Sequence, residues 1–203
     1  MRKGLCALMM TLALTLTGCG AGQEAHRAEE CLNQIRSQYL EMTACEGHAD
    51  ITADYGQRVY DFGVDFSWQK EGDTVLTLTA PEMVAGITAR IRAGETALEF
   101  DGVILETGPL NAAGLSPVDA LPALLTYARE GFAAECVLEG EGEEARLRVI
   151  FRDPQAQSGQ GTEAQLWFVP DSGALARAEL AQDGATVLQC TFSRFAITGP
   201  DKE

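Results

Sequence analysis

The sequence is poor in the residues that make active sites. Only two of its 203 residues are histidines, His26 and His48. It has no G-x-S-x-G, P-loop or H-E-x-x-H pattern. His26 sits on a polar stretch close to the N-terminus, and His48 shares one face of a predicted strand with Asp50 and Asp54. His48 and Asp54 are too far apart along a strand to hold one ion. The six cysteines form no C-x-x-C, which argues against structural zinc. Basic residues are scarce, 15 against 30 acids. That balance excludes a nucleic-acid binder and a flat electrostatic dock on anionic lipid. No Gly-rich or charged run is long enough for a domain linker, and no apolar run approaches the roughly 20 residues that span a bilayer. These absences predict a single domain with no enzymatic activity, cofactor or metal.

The most informative stretch is the N-terminus. Arg2 and Lys3 precede an apolar run from Gly4 to Leu16, followed by Leu16-Thr17-Gly18-Cys19. A positive start, a short apolar middle and a small-residue end make a secretory signal. The last four residues resemble the lipobox of bacterial lipoproteins. That resemblance implies removal of residues 1–18, with Gly18 the last to leave, and diacylglyceryl on Cys19. The expected place is the extracytoplasmic face of the cell membrane. Losing Arg2 and Lys3 leaves 13 basic side chains against 30 acids, a charge of −17, so the acyl chains must supply the membrane attachment. With Cys6 in the signal and Cys19 lipidated, Cys31, Cys45, Cys136 and Cys190 remain as candidate disulfide partners. Four cysteines allow about three full pairings, and the spacing selects none.

Residues 19–23 read as a lipidated tether, 24–198 as the domain and 199–203 as a polar tail. From Glu24, Ala25, Ala28, Leu32, Ile35, Tyr39 and Met42 recur every three or four residues, the stripe of an amphipathic helix. Period-two segments follow. The clearest places Tyr60, Phe62, Val64, Phe66 and Trp68 on one face of a strand. Short turns such as Glu71-Gly72-Asp73 and Asp101-Gly102 predict antiparallel neighbours. A second helix is expected after Ser116-Pro117, with Pro122 suggesting a separate turn over 117–120 and a helix proper from 121. Five further strands run from Ala133 to Ile197. The total is about eleven strands and two helices: a mainly β, α+β domain with a curved antiparallel sheet covered by the helices.

This order resembles the LolA/LolB-like lipoprotein-carrier fold, a half-barrel with a helical insert after its sixth strand. The local likeness lies in Thr79-Ala80-Pro81, Gly94 to Asp101, and Pro170-Asp171-Ser172-Gly173. The chain is also similar to Gram-positive germination lipoproteins of this fold, which act on a cell-wall amidase. The resemblance implies an apolar concave face able to hold acyl chains, with Tyr60, Phe62, Phe66 and Trp68 as its candidate lining. The competing reading is that these residues fill a core. It further implies a protruding apolar loop, here Met83 and Val84, which in anchored members helps insert lipid. Arg146, Arg148 and Arg152 are expected to pair with acids on neighbouring strands or to dock an acidic partner. The sequence reading is therefore a membrane-anchored binding module engaging a cell-envelope protein, with a carrier of lipid or lipoprotein as the alternative.

Overall fold

The computed structural model describes residues 20–92, 95–106 and 115–200. The expected signal (1–18), Gly18, Cys19, the Gly94 turn and most of the 108–116 loop lie outside the described residues.

Helix α1 spans Gly20–Glu41. It begins four residues before the expected start at Glu24 and takes in residues 20–23 of the expected tether, although Gly20 and Gly22 are poor helix formers. Residues 22–27 stand exposed beyond the core. Ala25, expected on the apolar stripe, is therefore exposed, while Ala28, Leu32, Ile35, Tyr39 and Met42 are buried.

Six strands follow: β1 (Ala44–Asp54), β2 (Val59–Gln69), β3 (Thr74–Ala80), β4 (Thr88–Arg92), β5 (Glu95–Phe100) and β6 (Val103–Glu106). Helix α2 (Pro117–Glu130) comes next. The chain ends with β7 (Ala133–Glu139), β8 (Arg146–Phe151), β9 (Thr162–Phe168), β10 (Leu175–Gln182) and β11 (Ala185–Thr198). α2 is one continuous helix rather than a turn and a later helix. Ser116 caps it by accepting from the Asp119 N–H at 3.2 Å. Pro122 is accommodated inside it.

The sheet is open and antiparallel, with strand order β6-β5-β4-β3-β2-β1-β11-β10-β9-β8-β7. Two meanders, β1–β6 and β7–β11, are joined by pairing β1 with β11, which makes β1 the central strand. This is the half-barrel expected from the element order. The concave face carries Cys45, Ala49, Ile51 and Ala53 of β1, Val64 and Phe66 of β2, and Leu147, Val149, Leu166, Phe168, Ala178, Leu180 and Leu188 of the later strands, all packed into one core with the helices.

A bulge interrupts the β1–β11 ladder between His48 and Ala49, where β11 contains one extra residue. The extra residue changes the parity of β11, so Phe192 and Phe195 both point to the concave side. Their rings lie 5.5 Å apart, and both meet Phe66, at 5.9 and 5.6 Å. Gly47 makes the crowding feasible. A Cβ there would sit 2.2 Å from the Arg194 carbonyl oxygen and 2.7 Å from Phe66 Cζ.

Candidate functional site

The aromatic row of β2 crosses from packed core to open surface. Phe66 is buried beneath the Phe192–Phe195 pair, and Trp68 lies half-buried with the Arg129 guanidinium 5.1 Å above its ring. Leu121 and Leu124 of α2 close over this part. The cavity they share with Ala49, Val64, Phe66 and Leu76 holds about 10 Å³, room for about one water. Towards the start of β2 the cover ends. Phe62 is half-buried, and Tyr60, 40 % exposed, stacks on it at 6.3 Å. Tyr55 meets Tyr60 at 6.3 Å and donates its hydroxyl to the Leu115 carbonyl at 3.1 Å. The four expected lining residues thus divide: Phe66 and Trp68 belong to the packed interior, Tyr60 and Phe62 to its open margin.

That margin continues across the sheet. Met83 lies in a 3₁₀ turn (Glu82–Val84) between β3 and β4 and is 85 % exposed, whereas Val84 folds back and is half-buried. The turn is fixed by its backbone: Val84 N–H donates to Pro81 at 3.0 Å and Gly86 N–H to Leu78 at 2.8 Å. Beside it, a Cβ on Gly86 would be 3.8 Å from the Phe100 ring. Phe100 ends β5, and Asp101-Gly102, both at positive φ, turn the chain into β6. Val103, Ile104 and Leu105 of β6 are all exposed, Val103 by 69 %. Tyr60, Met83, Phe100, Val103 and Leu105 therefore form an apolar rim at one end and edge of the half-barrel. Phe100 and the β6 residues were not singled out from the sequence. The available signal was three consecutive apolar residues without alternation, the pattern of a strand covered on both faces, whereas here both faces stand exposed.

The convex face is polar and internally paired. His48 Nδ1 is 2.8 Å from Asp65 Oδ1, and Arg194 reaches the same oxygen at 3.3 Å. His48 is thus engaged by the neighbouring strand. Arg148 bridges Glu135 at 2.6 Å and Glu139 at 2.5 Å, and Arg152 meets Glu163 at 3.4 Å. Arg146 instead donates to the carbonyls of Glu143 and Ala145. Two of the three arginines thus pair with acids on adjacent strands. Among the described residues, no three His, Cys, Asp or Glu side chains converge as metal ligands would.

Cys31, Cys45, Cys136 and Cys190 are free thiols. Burial pushes the Cys45 and Cys190 thiols up to about 12, with Arg129 partly opposing the rise at Cys45. Burial, then the nearby Cys31 and Glu29, push Cys136 up to about 11 against the influence of Arg36. Such thiols are protonated at neutral pH and are poor nucleophiles.

No protein-family model matches the chain, and no curated protein sequence does. Solved structures do resemble it. The chain is similar to LprF from Mycobacterium bovis at 16 % identity, covering 88 % of this chain and 98 % of that one, with a TM-score of 0.48. It is similar to a LolA superfamily protein from Nitrosomonas europaea at 10 % identity, covering 86 % and 94 %, with a TM-score of 0.42. A third likeness is to the complex of the CwlD amidase with the GerS lipoprotein from Clostridioides difficile, at 10 % identity, 86 % and 95 % coverage and a TM-score of 0.36. These are likenesses of fold.

Proposed function

We propose that this chain is a lipid-anchored, extracytoplasmic binding protein that engages a protein of the cell envelope through its apolar rim. The observation that carries this reading is the contrast between a packed interior, with a cavity of about 10 Å³, and a rim whose large apolar side chains stand in solvent. Exposed apolar patches of this kind mark interaction surfaces. Among the described residues β6 also has no strand on its outer edge beside the rim, an edge that a partner strand can extend.

The position of the expected anchor supports a protein rather than a bilayer as the occupant. α1, which starts directly after Cys19, packs chiefly on β7. The rim runs from β2, beside the central strand, out to β6 at the other edge of the eleven-stranded sheet. Ten strand steps of about 4.8 Å put the two edges roughly 48 Å apart along the sheet. An anchor on the β7 side leaves the rim free of the membrane, and the acidic surface opposes approach to anionic lipid. The carrier alternative requires α2 to move off the β2 row before an acyl chain can enter.

The test uses the lipidated protein in its own membranes, with a photoreactive phenylalanine at Met83 or Val103 and, as control, at Asp50 on the convex face. Discrete crosslinked bands are expected from the two rim positions and none from the control. In parallel, the natively purified protein should carry no acyl-chain ligand beyond its own anchor and take up no fluorescent fatty-acid probe. Probe uptake without rim crosslinks would overturn the reading in favour of the carrier.

A further inference from the structure

We propose that Cys31 and Cys136 form a disulfide that clamps α1 to the edge strand β7. The fold leaves this pair as the one placed to bond. Cys45 stands opposite Ile197 and Cys190 opposite Ile51, so these two are six residues apart along β1, about 20 Å. Cys45 lies near Tyr39, two helical turns and about 12 Å beyond Cys31. Cys31 and Cys136, by contrast, converge on one backbone group. On β7, Glu135 and Val137 face outward while Cys136 and Leu138 pack against the core. The Cys136 thiol donates to the Ala28 carbonyl of α1 at 3.4 Å. Cys31 lies three residues further along the same helix face, and helical side chains lean back toward the N-terminus. That direction brings the Cys31 sulfur over the turn that holds the Ala28 carbonyl. The electrostatic influence of Cys31 on Cys136 agrees with this proximity.

The local structure allows the closure that a bond requires. Ala28 at the contact is small and fully buried, so the helix already lies close to the strand. Among the described residues β7 is hydrogen-bonded only to β8, with no strand on its outer side to resist a shift. The reaction is exchange with an acceptor disulfide, either a small-molecule disulfide or an oxidised thiol oxidoreductase of the exterior. The thiolate of Cys31, the less strongly perturbed of the two, attacks the acceptor and expels the first thiol. The second attacks the resulting mixed disulfide and expels the other. Two protein thiols become one S–S bond, and the acceptor disulfide becomes two thiols.

The experiment treats the processed protein, purified from its envelope, with excess oxidised glutathione and compares it with the reduced form. The expected product has lost two hydrogens. Under non-reducing conditions trypsin should release residues 28–36 joined to 130–146, each peptide holding one cysteine. Closing so long a loop should raise Tm by roughly 5–15 °C. Cys31→Ser and Cys136→Ser, each shown by circular dichroism to be folded, should both abolish the link and the Tm rise. Glutathione capping of either cysteine without a link would overturn the proposal. So would a link through Cys45 or Cys190, or no oxidation at all.

Discussion

Raising the pH above 9 should unfold this protein steeply, and the slope can be worked from two thiols. Cys45 and Cys190 are almost fully buried on the concave face, and burial moves each from an ordinary value of 9.0 up to about 12. In the unfolded chain both ionise near pH 9, whereas in the folded chain they keep their protons to about pH 12. Below pH 9 both states hold the protons and stability is at its full value. As pH rises from 9 toward 12, the unfolded state binds fewer protons and the native state loses ground. Each group contributes about 1.36 kcal/mol per pH unit, so the pair removes about 2.7 kcal/mol per unit, or roughly 5 kcal/mol between pH 9 and pH 11. A typical domain has about 5–15 kcal/mol in all. Cys136, pushed up to about 11, adds to the loss in the same window and stays in the double variant as a residual slope. The sequence has only three lysines, Lys3, Lys70 and Lys202, and arginine keeps its proton. The Tyr39 hydroxyl, also pushed up by burial, adds to the loss above pH 10. Urea titrations at pH 8, 9, 10 and 11 measure the slope. The Cys45→Ala/Cys190→Ala variant should be less stable at pH 8 but lose stability far more slowly above pH 9. A wild-type midpoint unchanged to pH 11, or an equal slope in the double variant, would refute the reasoning.

Two further perturbations test the helix that carries the expected anchor. Tyr39→Phe removes the donor to the buried Gly173 carbonyl, held at 3.0 Å, and should cost about 1–2 kcal/mol in urea unfolding, with the ring packing on Phe168 retained. Cys19→Ala should transfer the protein from the membrane pellet to the soluble fraction; continued sedimentation would contradict the lipid anchor.

The sequence made the local elements readable because their signals are local. Period two in Tyr60–Trp68 placed five side chains on one face, and the structure puts that face on the concave side. Asp101-Gly102 marked a hairpin that exists. The pairing of β1 with β11 joins residues more than a hundred positions apart, and only the completed meanders decide it. The bulge opposite His48 was equally hidden, although it explains why Phe192 and Phe195 share a side despite their odd spacing. The division of the β2 row also escaped sequence reasoning. Alternation tells which side chains share a face but not how far a helix reaches across it. Gly131 ends α2 at φ −61 and not at a positive φ. It is glycine for closeness instead, since a Cβ would lie 2.6 Å from the Tyr127 carbonyl oxygen and 2.7 Å from Phe151.

The place of α1 in the chain has a mechanical consequence. Its C-terminal end leads through two residues into β1, which is the sixth of eleven strands and hydrogen-bonded on both sides. A pull applied at residue 20 would run along the helix and past the Tyr39–Gly173 bond into a strand paired on both sides. It would load the ladders on both sides of β1 instead of peeling an edge strand.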